Sequence, residues 1–87
     1  MTVRVPIEVV SQRLGSDVVV LHLGTGVYWS LNETGAAIWQ ELLRHGNPSR
    51  AVSTLGEQFA ASETELRQAT EDLVAKLLKE GLLEAAR

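Results

Sequence analysis

Residues able to do acid–base, nucleophilic or metal chemistry are few in this chain, and their spacing scatters them. The two histidines, His22 and His45, stand far apart and outside any HExxH-type arrangement. With no cysteine there is no thiolate nucleophile, disulfide, iron–sulfur cluster or Cys-ligated zinc. Glu33 and Glu41 lie eight positions apart and Glu71-Asp72 are adjacent, but no nucleophile or metal ligand is fixed beside them by spacing. Gly24-Thr25-Gly26 has too few glycines for a phosphate cradle and joins two strand-like runs, where a dinucleotide fingerprint joins a strand to a helix. The expectation is a non-enzyme with no catalytic residue, no metal and no cofactor. His22 is expected to be a hydrogen-bonded structural residue within a strand, and His45 to sit at a helix end against its dipole.

What the chain does offer is backbone. Val27-Tyr28-Trp29-Ser30-Leu31 alternates as a strand and carries no proline, lysine or other charge, the devices that usually blunt a sheet edge. An open edge presents unpaired N–H and C=O groups at alternate residues, and an extended peptide satisfies them by adding a strand. Side-chain pockets beside the edge must then supply specificity.

The elements that position this strand follow from a single change of period near residue 32. Before it, Val3, Val5, Ile7 and Val9 alternate with polar positions, which predicts a strand from Val3 to Val9, placed at an edge or bulge by Pro6. Ser11 to Ser16 is expected to be a loop. Asp17 to Leu23, with its apolar run Val18 to Leu21, is expected to be the central strand, and the Gly24-Thr25-Gly26 hairpin leads into Val27 to Leu31 as the far edge.

From Asn32 the period is helical. Asn32 suits an N-cap and Ile38, Trp39, Leu42 and Leu43 form one stripe, with Gly46 as a stop signal. Asn47-Pro48 restarts a short helix whose buried stripe is Ala51, Val52, Leu55 and Phe59. Ser62-Glu63-Thr64-Glu65 is a capping box opening a third helix to about residue 79 or 80, followed by Gly81 as the C′ residue and Leu82 folding back on Leu77 or Leu78. That third helix is apolar over a wide arc, with Leu66, Ala69, Leu73 and Leu77 in one stripe and Thr70, Val74 and Leu78 in the next. Either both stripes are covered within the domain, or one is reserved for a ligand.

Length and charge bound the partners. Eighty-seven residues, 45% hydrophobic and 22% charged, are expected to form one domain, 1–87, around one core. A net charge of −3 gives no drive toward phosphate backbones or anionic membranes, and the longest apolar run is too short to cross a bilayer. A cytoplasmic protein is expected, with no nucleic acid and no membrane as partner. A winged-helix DNA-binding regulator and a small homodimerisation module are the rival readings. Against the first, the recognition helix would open on Glu63 and Glu65, pushing carboxylates toward phosphates.

The run Leu31-Asn32-Glu33-Thr34-Gly35-Ala36-Ala37-Ile38-Trp39 resembles the PqqD-like family, in which a strand runs into Leu-Asn-x-Thr-Gly-x-x-Ile-Trp at the start of the first helix. The likeness extends over about residues 17 to 84, to Leu77-Leu78-Lys79-Glu80-Gly81-Leu82, similar to the family's closing Leu-x-x-x-Gly-Leu. The resemblance implies an α+β fold of three antiparallel strands followed by three helices, winged-helix-like (β3α3). It also implies a recognition element for ribosomally made, modified peptides that binds the leader segment of a precursor as an added strand on the third strand, with side chains against the third helix. The short chain looks most like the free-standing leader-binding subunits of lasso-peptide pathways, which work beside a separate cysteine protease and a cyclase. There the leader typically carries Tyr-x-x-Pro, whose side chains enter apolar pockets. One departure is the hairpin, where many members have a longer loop with an acidic residue.

Together these readings name Val27, Tyr28, Trp29, Ser30 and Leu31 as the ladder strand, Leu66, Ala69, Thr70, Leu73 and Leu77 as the pocket wall, and Asp72 and Lys76 as rim charges. The expected partners are a precursor leader peptide and a separate cysteine-protease maturation enzyme.

Overall fold

The computed structural model describes residues 2–57, 59 and 62–86. The elements run β1 (Thr2–Arg4), β2 (Val9–Leu14), β3 (Asp17–His22), β4 (Tyr28–Leu31), α1 (Glu33–His45), α2 (Pro48–Leu55), α3 (Glu63–Lys79) and β5 (Glu84–Ala86). β2, β3 and β4 form an antiparallel sheet with β3 in the middle, and the three helices follow, an α+β architecture. No helix among the described residues is long and apolar enough to cross a membrane.

Of the expected first strand, Val3 to Val9, only Val3 and Arg4 lie in β1 and only Val9 in β2, and residues 5–8 are not strand. β1 ends at Arg4 and pairs with β5 at the far end of the chain, through Thr2↔Ala86, Val3↔Ala85 and Arg4↔Glu84, with an ion pair from Arg4 to Glu84. Pro6 lies in the connection, and Ile7, which continued the alternation, is 99% exposed. The expected loop is correspondingly mostly strand. Ser11 to Leu14 belong to β2, and only Gly15 and Ser16 turn the chain, with Gly15 at φ 66° in the first central position of a two-residue hairpin. Polar Ser11, Gln12 and Arg13 hid this strand because both of its faces there meet solvent.

One face of the sheet packs on the helices. Val9, Val18, Val20 and Leu31 are buried with Ile38, Trp39 and Leu42 of α1, the α2 stripe Ala51, Val52 and Leu55, and Leu66, Val74 and Leu77 of α3. The opposite face leaves Val10, Leu14 and Tyr28 exposed.

Local signals set the helix starts as the sequence implied, but α2 ends at Leu55, so Phe59, expected in its buried stripe, lies beyond the helix and is half-buried. Asn32 Oδ1 accepts from Gly35 N–H at 2.9 Å, Asn47 Oδ1 from Ser49 N–H at 2.9 Å, and Ser62 and Glu65 close the capping box. α3 ends in a Schellman arrangement. Leu82 N–H donates to Leu77 C=O at 2.8 Å and Gly81 N–H to Leu78 C=O at 3.2 Å, which folds Leu82 into the core. Gly46 ends α1 at φ 65°, and its C=O accepts from Val3 N–H at 2.8 Å, so the terminal β1–β5 pair is docked on the end of α1.

Three of the five residues assigned to a pocket wall on α3 face inward instead. Leu66, Thr70 and Leu77 are 3%, 0% and 0% exposed and belong to the core side of the helix. Their stripe meets α1 and α2, which leaves no surface for a ligand. Thr70 buries its hydroxyl without a hydrogen-bond partner among the described residues.

Thr70→Val keeps the shape and removes the buried, unpaired hydroxyl, so urea unfolding should show a gain of about 1 kcal/mol. Gly46→Ala should destabilise by about 1–2 kcal/mol, the cost of a Cβ in the left-handed region. The added Cβ would also stand 3.0 Å from Val3 C=O, so amide exchange at Val3 should accelerate more than exchange in β3.

Candidate peptide-binding edge and groove

β4 is hydrogen-bonded to β3 on one side and has no strand on the other among the described residues. The phase of the pairing decides which groups face out. His22 N–H donates to Val27 C=O and Gly26 N–H to His22 C=O, both at 2.8 Å, closing the hairpin with two residues opposite one. Hydrogen-bonded pairs then alternate along the antiparallel ladder, so Val20↔Trp29 and Val18↔Leu31 exchange the inter-strand bonds. The N–H and C=O groups of Tyr28 and Ser30 therefore point away from the sheet. Val27, expected within the strand, stands at its entrance as the second residue of the bulge.

His22 holds this entrance in shape. Its Nδ1 accepts from Gly24 N–H at 3.0 Å and Thr25 N–H at 3.1 Å, the hydrogen-bonded structural role its position suggested. Thr25 Oγ1 accepts from Val27 N–H at 3.3 Å.

Beside the open edge lies a groove of about 360 Å³. α1 packs against both β4 and α3, and the cleft between those two elements is the groove. β4 contributes Trp29, Ser30 and Leu31. The α3 wall is Ala69, Asp72, Leu73 and Lys76, a set at i, i+3, i+4 and i+7 that forms one helix face beside the buried stripe. The breadth of the apolar arc is thus divided: the inner stripe is core, and the shoulder at Ala69 and Leu73 is half-buried and faces the cleft. Lys76 Nζ lies 5.7 Å from the centre of the Trp29 ring.

The floor of this groove comes from residues outside the set expected from the sequence. Asn32, Thr34, Gly35 and Ile38, from the first turns of α1, line it as well. These residues belong to the Leu31–Trp39 run that carries the family resemblance, a signal that marks the strand-to-helix junction without showing that it lines a cleft. At Gly35 a Cβ would meet Leu31 Cβ at 3.3 Å, so glycine lets α1 start tight against the end of β4.

Other concavities lack this combination. One of about 320 Å³ holds Arg13, Glu33, Glu41 and Arg44, whose charges oppose one another, and Glu41 Oε1 is 3.3 Å from His45 Nε2. The expected helix-end position of His45 holds, in the last turn of α1.

Comparison with known proteins places the chain. Residues 17–83 match the family model described as coenzyme PQQ synthesis protein D (PqqD). No curated protein matches. Among solved structures, the fold is similar to that of TbiB1 in complex with the TbiA(beta) leader peptide, at TM-score 0.87 and 27% identity, covering 97% of this chain and 98% of that one. It is also similar to a lasso peptide synthetase B1 complexed with the leader peptide, at TM-score 0.85 and 26% identity, covering 98% and 100%. The family model reaches from the first residue of β3 to the residue before β5, and so takes in the open edge and both walls of the groove: the chain belongs to the PqqD family.

Proposed function

We propose that this protein is a non-catalytic adaptor, a single binding domain that captures the leader segment of a ribosomally made precursor peptide and presents it to a separate cysteine-protease maturation enzyme. The observation that carries this reading is the outward-facing N–H and C=O pairs of Tyr28 and Ser30 beside a groove of about 360 Å³. Similarity to two leader-peptide complexes supports it. The leader joins the sheet as a fourth strand on β4, its alternate side chains resting in the groove.

Division of labour follows from the chemistry. Main-chain bonds from Tyr28 and Ser30 give affinity to any extended segment. Trp29, Leu31, Ala69 and Leu73 select by shape, and Asp72 and Lys76 stand at the rim. Rim charges govern orientation and on-rate more than affinity. Ordering a flexible leader costs enough free energy that tight binding needs both ladder and groove. Nucleic acid is a poor occupant: α3 begins with Glu63 and Glu65, and Arg67 is paired with Glu63.

Ser30→Pro removes an outward N–H without deleting a bond to β3, a substitution edge strands tolerate. Leader affinity measured by calorimetry should fall about tenfold or more, from the lost bond and the obstructed ladder. Unchanged affinity with an unchanged circular dichroism spectrum would remove strand addition from the account. Leu73→Asp places a carboxylate in the groove wall and should weaken the same titration by at least about tenfold, because burying it beneath the peptide is costly. An unaltered isotherm would take α3 out of the site.

A further inference from the structure

We infer that the groove reads charge: the peptide that fills it carries an aspartate or glutamate side chain beside Lys76, and no second acid at the neighbouring groove-facing position beside Asp72. This rests on the peptide-binding reading above and adds the chemistry of the bound segment.

Asp72 and Lys76 are four residues apart on α3 with the acid toward the N-terminus, the order in which such pairs favourably close on a helix surface. Here the pair stays open. Lys76 directs its ammonium over Trp29, 5.7 Å from the ring centre, and Asp72 Oδ1 instead accepts from Gln68 Nε2 at 2.9 Å. The ion pairs among the described residues join Arg4 to Glu84, Arg44 and His45 to Glu41, and Arg67 to Glu63, and Lys76 takes part in none of them. An aromatic face holds an ammonium in place through its quadrupole but does not neutralise it. A positioned cation without a carboxylate therefore lines the cleft next to the open strand.

Spacing turns these two charges into a register mark. A strand added to β4 sends alternate side chains toward the groove, about 6.5–7 Å apart. Asp72 and Lys76 are separated by about 6 Å along the helix axis. For a peptide that runs along α3 in the cleft, successive groove-facing residues meet the two charges in turn. A carboxylate beside Lys76 gains a partner, and one beside Asp72 faces a like charge, which is the stronger discriminator.

The test is selection from a random display library of extended peptides on the full chain, its Lys76→Arg and Lys76→Glu variants, and Ser30→Pro. The wild type and Lys76→Arg should both enrich Asp or Glu at one position and deplete them two residues away. Lys76→Glu should replace that enrichment with Lys or Arg. In a selected peptide, changing the enriched acid to its amide should weaken binding to the wild type about threefold to fivefold at low salt, with less effect as salt rises. Identical residue preferences for wild type and Lys76→Glu, in peptides that Ser30→Pro no longer binds, would overturn the charge inference and leave the peptide-binding reading standing. Peptides held equally well by a folded Ser30→Pro, or no enrichment by the wild type, would overturn that reading and this inference with it.

Discussion

The molecule depends on a strand paired along one side only. β4 takes its bonds from β3 and then ends, because Asn32 caps α1 immediately after Leu31 and carries the chain away from the sheet. Had the chain turned back after Leu31, its own backbone would have filled the margin. Capping therefore does two things: it satisfies the Gly35 amide in the first turn of α1, and it leaves Tyr28 and Ser30 with backbone groups facing out, unpaired among the described residues. The hairpin before β4 is tied with comparable care, through His22 Nδ1 and the two-for-one bulge at Gly26 and Val27. An edge held in a fixed shape loses less entropy when a strand joins it, which favours association before any side chain is recognised.

The groove is a by-product of how α1 is used. That helix touches both β4 and α3, so it acts as a spacer between two surfaces that would otherwise close on each other. Gly35 sets how tightly the spacer meets the strand, and Ala69 keeps the opposite wall low. Small residues at the contacts thus set the shape of the cleft, and two longer side chains at its rim, Asp72 and Lys76, carry its charge.

Much of this was legible in residue types. Caps, stops and the capping box each act within one turn, so Asn32, Asn47, Ser62 and Gly81 announced the helices locally, and the uncharged Tyr28-Trp29-Ser30 run announced the open edge. The first strand was misjudged because alternation at Val3, Val5, Ile7 and Val9 says nothing about partners: Val3 pairs with Ala85, a relation across nearly the whole chain. β2 escaped notice for the opposite reason, since a strand with two wet faces has no hydrophobic period. On α3 the apolar pattern showed that the arc was too wide but not where to cut it. Only the positions of α1 and α2 decide that Leu66, Thr70 and Leu77 go inward while Ala69 and Leu73 meet the cleft.

Pairing Thr2 with Ala86 brings the two ends of the described chain side by side, and the bond from Val3 to Gly46 moors them to the C-terminal end of α1. The cleft is built at the other end of that helix, where Asn32, Thr34 and Gly35 lie. Thirteen residues of helix put about 20 Å between the two places. The paired end strands and the cleft therefore sit at opposite ends of one helix, so the β1–β5 pair stands clear of the open side of β4.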